Sequence, residues 1–260
     1  VDKMADWNPE SYLKFKKERT RPSIDLAERI EVENPQKILD IGCGPGNSTA
    51  VLKRRFPNAA IIGIDNSPNM IEAAAKTYPD IEFKLIDASC ELDRLGEDTF
   101  DVVFSNACIQ WLPNHSELLT EMMKLLKKSG VMAVQIPVNY DEPVHKIISS
   151  ISESDEWHEK LSGVRSIETL SEEEYFDILS LISSDFSMWK TVYFHRMPTY
   201  ESIIEWYRAT GLKPYLSQLD YNEQRVLETQ IIEELKRQYP IRQNGEIIFR
   251  FPRLFFTAIK

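Results

Sequence analysis

Residues 37–49 read KILDIGCGPGNST: an apolar run ending in an acid, three glycines at alternate positions, then residues suited to opening a helix. Lys37–Ile41 is a buried-strand pattern and Ser48–Arg55 a helical one. Glycines at 42, 44 and 46 let the backbone turn sharply and approach a ligand without Cβ clashes. The spacing is GxGxG, not the GxGxxG of pyrophosphate binders. A carboxylate at the strand tip, Asp40, would repel a phosphate and attract an ammonium or sulfonium. The loop is therefore suited to the cationic edge of a ligand.

The same rhythm continues downstream. Ala60–Asp65 is a second strand, followed by a helix from Pro68 to about Lys76. Ile81–Ile86 and Phe100–Ser105 are the third and fourth strands. Asn114 with Glu117 resembles a capping box opening a helix to Lys127, and Gly130–Ile136 is the fifth strand. Short buried strands alternating with helices imply an α/β fold with a doubly wound, mostly parallel sheet. Upstream, Val1-Asp2-Lys3 ahead of Met4 are set aside as a vector remnant. Asn8-Pro9 reads as a helix start, Pro22 ends that helix near Thr20, and a second helix covers Pro22–Ile30.

After Pro137 the pattern changes. An acidic helical region (142–183) precedes a strand at Met188–His195, helices near 200–210 and 222–238, and a strand at Ile247–Ile259. Pro252 is expected to demote the first half of that strand to an edge or bulge. The organisation expected is a helical lid at 1–30, a ligand-binding core at 31–137, and helical cap elements at 138–186 and 196–240. The last strands, at 187–195 and 241–260, complete a seven-stranded sheet.

The chain has 260 residues, 41 acidic and 31 basic, with a formal net charge of −10. Such acidity disfavours nonspecific binding to nucleic acid or anionic membrane. Positive charge gathers near both ends: residues 14–21 carry five bases against Glu18, and 236–260 carry six against Glu246. Cys43, Cys90 and Cys108 fit neither a disulfide framework nor a zinc cluster. With no membrane-length apolar run and no secretory signal pattern, the expectation is a cytoplasmic monomer without metal, whose partners are small molecules.

Acids close three consecutive strands. Asp65 falls where doubly wound folds hydrogen-bond a ribose, and Asp87, with the Ala88 N–H, lies where an adenine edge would fall. Helix capping is the structural alternative for both acids. Tyr12, Phe15 and Arg19 share one face of the first helix, at i, i+3 and i+7, and would close over ligands.

On ILDIGCGPGNST, GIDNSPNMI and LIDAS, the core resembles the S-adenosylmethionine-dependent methyltransferases, whose sheet is Rossmann-like. The resemblance implies that Asp40, Gly42, Cys43 and Gly44 hold the methionyl part and that Asp65 with Asn66 holds the ribose. It implies Asp87, Ala88 and Met70 around the adenine and Asn106 at the methionyl ammonium, with Tyr12, Phe15 and Trp111 completing the cofactor site. S-adenosylhomocysteine would be the product. Ordinary helix core is the alternative for Met70.

The segment after strand four lacks the Asn/Asp-Pro-Pro-aromatic element usual in enzymes that methylate base or amide nitrogens, so a small acceptor is expected. DWNPESYLKFKKERTRPSIDLAERI, CIQWLPNH, YFHRMPT, ATGLKPYL and FPRLFF resemble the trans-aconitate 2-methyltransferase family across nearly the whole chain. That likeness implies esterification of a carboxylate of trans-aconitate or a related polycarboxylate.

A carboxylate is ionised at pH 7 and needs no general base, so no catalytic acid or base is expected; positioning does the work. The candidates for the acceptor are Arg19, Arg21, Gln110, Trp111, Tyr193, His195, Trp206, Lys213 and Arg253, with Arg196, Arg208, Arg242 and Arg250 as further cations. Arg suits such a clamp because its planar fork binds carboxylate bidentately. The alternatives are methylation of another small acid or hydroxyl compound, a non-catalytic cofactor-binding regulator, and a nicotinamide oxidoreductase, which GxGxG and Asp40 disfavour.

Overall fold

The computed structural model describes residues 15–164, 169–208 and 210–260. Tyr12 and the Asn8–Pro9 helix start therefore lie outside the described residues. The described chain begins with α1 (Lys16–Glu28), which continues through Pro22. The expected break at Arg21–Pro22 is absent. Proline costs the helix the N–H that would reach the Glu18 carbonyl, while Ser23 Oγ donates to the Thr20 carbonyl at 2.8 Å.

The sheet follows the predicted alternation: β1 (Lys37–Ile41), α2 (Asn47–Arg55), β2 (Ala60–Asp65), α3 (Pro68–Thr77), β3 (Glu82–Leu85), β4 (Phe100–Asn106), α4 (His115–Leu125) and β5 (Leu126–Pro137). Ser67 caps α3, its Oγ accepting the Met70 N–H. Asn114 takes the cap position of α4 in the left-handed region (φ 54°) but makes no side-chain cap bond, so the anticipated capping box does not form.

The rest comprises α5 (Pro143–Ser152), α6 (His158–Leu161), α7 (Glu172–Ile182), β6 (Phe186–Met197), α8 (Tyr200–Arg208), α9 (Lys213–Leu216), α10 (Tyr221–Gln238) and β7 (Ile247–Ile259). The capping boxes that do form are Ser171/Glu174 on α7 and Asp220/Glu223 on α10.

Seven strands lie in the order β3-β2-β1-β4-β5-β7-β6. β1 pairs in parallel with β2 and β4, and β2–β3 and β4–β5 are also parallel. β7 runs against β5: Ser129 N–H meets the Lys260 carbonyl at one end and Val138 N–H the Pro252 carbonyl at the other. Pro252 lies within the continuous strand β7, at the point where its pairing with β5 ends. It contributes its carbonyl to the ladder and lacks only the donor. The sheet is the doubly wound, mostly parallel α/β sheet expected from the sequence.

Two compact units divide the described chain. One contains 15–137, 169–191 and 254–260. The other contains 138–164, 192–208 and 210–253. β6 and β7 each pass from one to the other. α7 falls in the first unit, where the Tyr175 hydroxyl meets His115 Nδ1 at 2.6 Å and its ring packs on Phe256.

In the first unit the core forms around β1 and β4, whose Ile38, Leu39, Ile41, Val102, Val103 and Phe104 are fully buried. Each such side chain contributes about 1.5–3 kcal/mol of burial energy. In the second unit Phe249 packs against Trp206, Tyr207 and Tyr239. Among the described residues no helix is long and apolar enough to cross a membrane.

Candidate active site

β1 and β4 are neighbours, yet their connections lead to opposite sides of the sheet. The carboxyl ends of such strands bracket the crevice where doubly wound sheets bind ligands. Asp40, the penultimate residue of β1, is fully buried. Its Oδ2 accepts from Ser48 Oγ at 2.7 Å and Thr49 Oγ1 at 2.6 Å. Its Oδ1 is equally buried and meets no donor among the described residues. Burial pushes the Asp40 pKa up to about 6; the Thr49 and Ser48 hydroxyls oppose that shift and the nearby Asp65 charge adds to it.

The glycine loop follows. Gly42 (φ 73°) is required by both angle and space, because a Cβ there would lie 2.2 Å from Cys108 Sγ. At Gly44 (φ 53°) a Cβ would meet no protein atom within 4 Å. Cys43 and Cys108 are free thiols. Burial first, then the field of Asp40 and Asp65, raises both above the ordinary thiol range. Thiols held protonated in this way suit packing and not nucleophilic attack.

At the end of β2, Asp65 Oδ2 accepts the Gly44 N–H at 3.0 Å and Oδ1 the Ser67 N–H at 2.9 Å. Asn66 is the exposed residue between them. At the end of β3, Asp87 Oδ1 accepts from Ser89 N and Oγ, at 2.9 and 2.7 Å. The next residue, Ala88, is buried. Neither acid is the helix cap considered as its structural alternative: Ser67 caps α3, and Asp65 and Asp87 each bond the backbone N–H two residues on. Met70 is 3% exposed.

From the turn after β4, Asn106 Oδ1 and Gln110 Oε1 are buried without a partner among the described residues. Gln110 Nε2 donates to the Ala107 carbonyl at 2.8 Å. Ala107 (φ 53°) and Asn114 (φ 54°) bend the chain at either end of this turn.

A methyltransferase domain model matches residues 39–134. Among solved structures, the Bacillus subtilis protein YcgJ superposes with a TM-score of 0.61 at 16% identity, over 92% of this chain and 98% of that one. Phosphoethanolamine N-methyltransferase 2 of Haemonchus contortus, in complex with S-adenosylmethionine, gives 0.58 at 18% identity, over 92% of this chain and 52% of that one. These two show the fold. Trans-aconitate 2-methyltransferase of Escherichia coli O157:H7 is 42% identical over 98% of each chain.

The chain belongs to the trans-aconitate 2-methyltransferase family. It is an S-adenosylmethionine-dependent methyltransferase, and the residues present fit that cofactor. The orphaned Asp40 oxygen wants a donor, Asp40 and Asp65 give a negative field suited to a sulfonium and an ammonium, and Gly44 leaves room beside the loop.

The acceptor candidates divide. In the first unit Arg19 is 7% exposed on α1, in the helical turn after Phe15, whose carbonyl accepts its N–H. Arg21 is 62% exposed and pairs with Asp25 at 2.8 Å. Gln110 is buried and Trp111 half-buried.

In the second unit the His195 ring lies 4.7 Å from Trp206 and roughly parallel to Tyr193 at 6.4 Å. Burial, with a smaller push from Arg253, lowers the His195 pKa to about 4, so the imidazole is neutral at pH 7. Its Nε2 has no partner among the described residues. Arg253 is buried with its guanidinium 4.6 Å over the Phe251 ring. Lys213 Nζ is shielded from solvent. Arg196 pairs with Glu246 and Arg208 with Glu228 on the surface.

The sequence reading missed Ser48 and Thr49. Two adjacent hydroxyls eight and nine residues after the strand-tip acid, on the first turn of the following helix, were the available signal. It also missed His115. Its Nε2 donates to the Ile109 and Leu112 carbonyls at 2.8 and 3.0 Å, while Nδ1 accepts from Tyr175, so this ring pins the turn that carries Gln110 and Trp111.

Proposed function

We propose that the chain methylates a carboxylate of trans-aconitate or a closely related small polycarboxylate. Similarity at 42% identity over 98% of the chain to a trans-aconitate 2-methyltransferase is the observation that carries this reading. The bound cofactor supplies a methyl group activated on a sulfonium. The acceptor carboxylate is an anion at pH 7, so the protein moves no proton. Its work is to bind, orient and exclude water.

Asp40 and the loop Gly42-Cys43-Gly44 bind the methionyl portion, with Asn106 beside them. Asp65 and Asn66 hold the ribose, Asp87 and Ala88 the adenine, and Met70 backs the ring from the core of α3. Phe15 and Trp111 cover the cofactor. Arg19, Gln110, Lys213 and Arg253 bind the acceptor's carboxylates.

Tyr193, His195 and Trp206 form the aromatic wall beside Arg253. A neutral His195 supplies a hydrogen bond whose strength is constant above about pH 5. Desolvated, oriented reactants react with effective molarities worth about 7–11 kcal/mol of barrier, enough for an in-line displacement without acid or base.

We further propose a cytoplasmic monomer that engages neither nucleic acid nor membrane, in keeping with the net charge of −10. A panel of mono-, di- and tricarboxylates ranked by kcat/KM tests the acceptor class. The tricarboxylate is expected to lead, and equal rates across the panel would reject the clamp.

A further inference from the structure

We propose that Ser48 and Thr49 are positioning residues for cofactor binding, whose paired hydroxyls hold Asp40 as an anion with its second oxygen directed to the methionyl ammonium. The proposal rests on the reading of Asp40 given above and adds the device that makes it workable.

A fully buried carboxylate tends to take up a proton, because burial penalises the charged form. Asp40 is fully buried, and its charged neighbours are unfavourable. Asp65 at the end of β2 carries like charge, and the thiols of Cys43 and Cys108, which feel the Asp40 charge, are neutral. The described residues show no cation bonded to it. What favours the anion is the pair of hydroxyl donors at 2.7 and 2.6 Å, short bonds of the charge-assisted kind.

Both hydroxyls converge on Oδ2. That choice leaves Oδ1 as a buried acceptor with no donor among the described residues, and it fixes the carboxylate plane. Thr49 is itself fully buried and Ser48 nearly so, and both lie on the first turn of α2, directly after the glycine loop. Among the described residues neither hydroxyl has another hydrogen-bond partner, so each is committed to Asp40. Protonated Asp40 would present a neutral carboxyl to a cationic ligand and lose the attraction. Burial nevertheless leaves the pKa near 6 with both donors in place, so removing either should bring the titration into the neutral range.

The test is calorimetric titration of the full chain with S-adenosylhomocysteine between pH 5 and pH 9. The product carries the same ammonium and survives alkaline pH. Parent affinity is expected to fall below about pH 6. Thr49→Val keeps the branched shape and removes the hydroxyl; Ser48→Ala removes the other.

Each is expected to move the midpoint up by about one pH unit, weakening binding about fivefold at pH 6 and less than twofold at pH 8. Recovery at high pH separates loss of ionisation from general damage. Thr49→Ser, which restores the oxygen, is expected to return the parent midpoint. Should Thr49→Val not fold, Ser48→Ala carries the same test.

Parent midpoints in both variants would overturn the proposal. Asp40→Asn distinguishes the two layers, with binding at least tenfold weaker at pH 8 expected. If Asp40→Asn binds like the parent, the reading of Asp40 itself fails. If Asp40→Asn loses affinity while the hydroxyl variants titrate like the parent, the inference about Ser48 and Thr49 alone is rejected.

Discussion

Asp65 is tied to Gly44: its Oδ2 accepts the loop N–H at 3.0 Å, fastening the end of β2 to the glycine turn that follows β1. One carboxylate therefore shapes the loop at the site proposed for the cofactor. Its other oxygen holds Ser67 N–H, the cap of α3, so three segments meet on a single side chain.

Replacing Asp65 should accordingly act on ligand and loop together. Asp65→Ala is expected to weaken S-adenosylmethionine by about 1.5–3 kcal/mol, the range for hydrogen bonds to a charged group. Calorimetry checks it, and unchanged affinity would reject the ribose assignment.

Asp40 should oppose stability while serving binding. Its folded pKa is raised to about 6 from an ordinary value of 3.8. The folded state therefore holds the proton more tightly, and this contribution to stability is present below about pH 4 and lost as pH rises through 6. Asp40→Asn is expected to raise the Tm of the ligand-free protein relative to the parent increasingly from pH 5 to pH 7. A difference in Tm that does not change with pH would contradict the buried charge.

The buried and exposed arginines of α1 should part company. Arg19→Ala is expected to damage acceptor KM or kcat more than cofactor affinity. Arg21→Ala, which breaks an exposed pair worth about 0–1 kcal/mol, should leave kinetics unchanged. An Arg19 variant with lowered stability and normal kinetics would make that residue structural.

Tyr175 supports the turn through His115. Tyr175→Phe leaves the buried Nδ1 without its donor, and a buried group stripped of its partner costs about 1–3 kcal/mol. Chemical denaturation is expected to show that loss, with acceptor KM raised because Gln110 and Trp111 ride on the pinned turn. An unchanged denaturation midpoint would remove the His115 relay from the account.

The parts legible in sequence were those with local causes. The strand-tip acids and glycine spacing marked the turn between β1 and α2 because period and backbone freedom are written in neighbouring residues. Pro22 misled because tertiary packing tolerates a missing donor: α1 continues through it. Asn114 carried a cap composition, yet its backbone enters the left-handed region, so the side chain never reaches the helix. Arg19 and Arg21 are two residues apart and look alike in sequence; burial alone distinguishes them, and burial is set by what packs against α1. Ser48 and Thr49 escaped notice because a hydroxyl's role depends on the acid it faces across a turn.

Methyl transfer to trans-aconitate remains the most direct measurement. Incubation of the protein with S-adenosylmethionine carrying a labelled methyl group, with and without trans-aconitate, should yield an acid-extractable labelled monoester together with S-adenosylhomocysteine in equal amounts. Label in the ester only when acceptor and protein are both present is the predicted result. Cofactor binding without ester above the acceptor-free control would contradict the account.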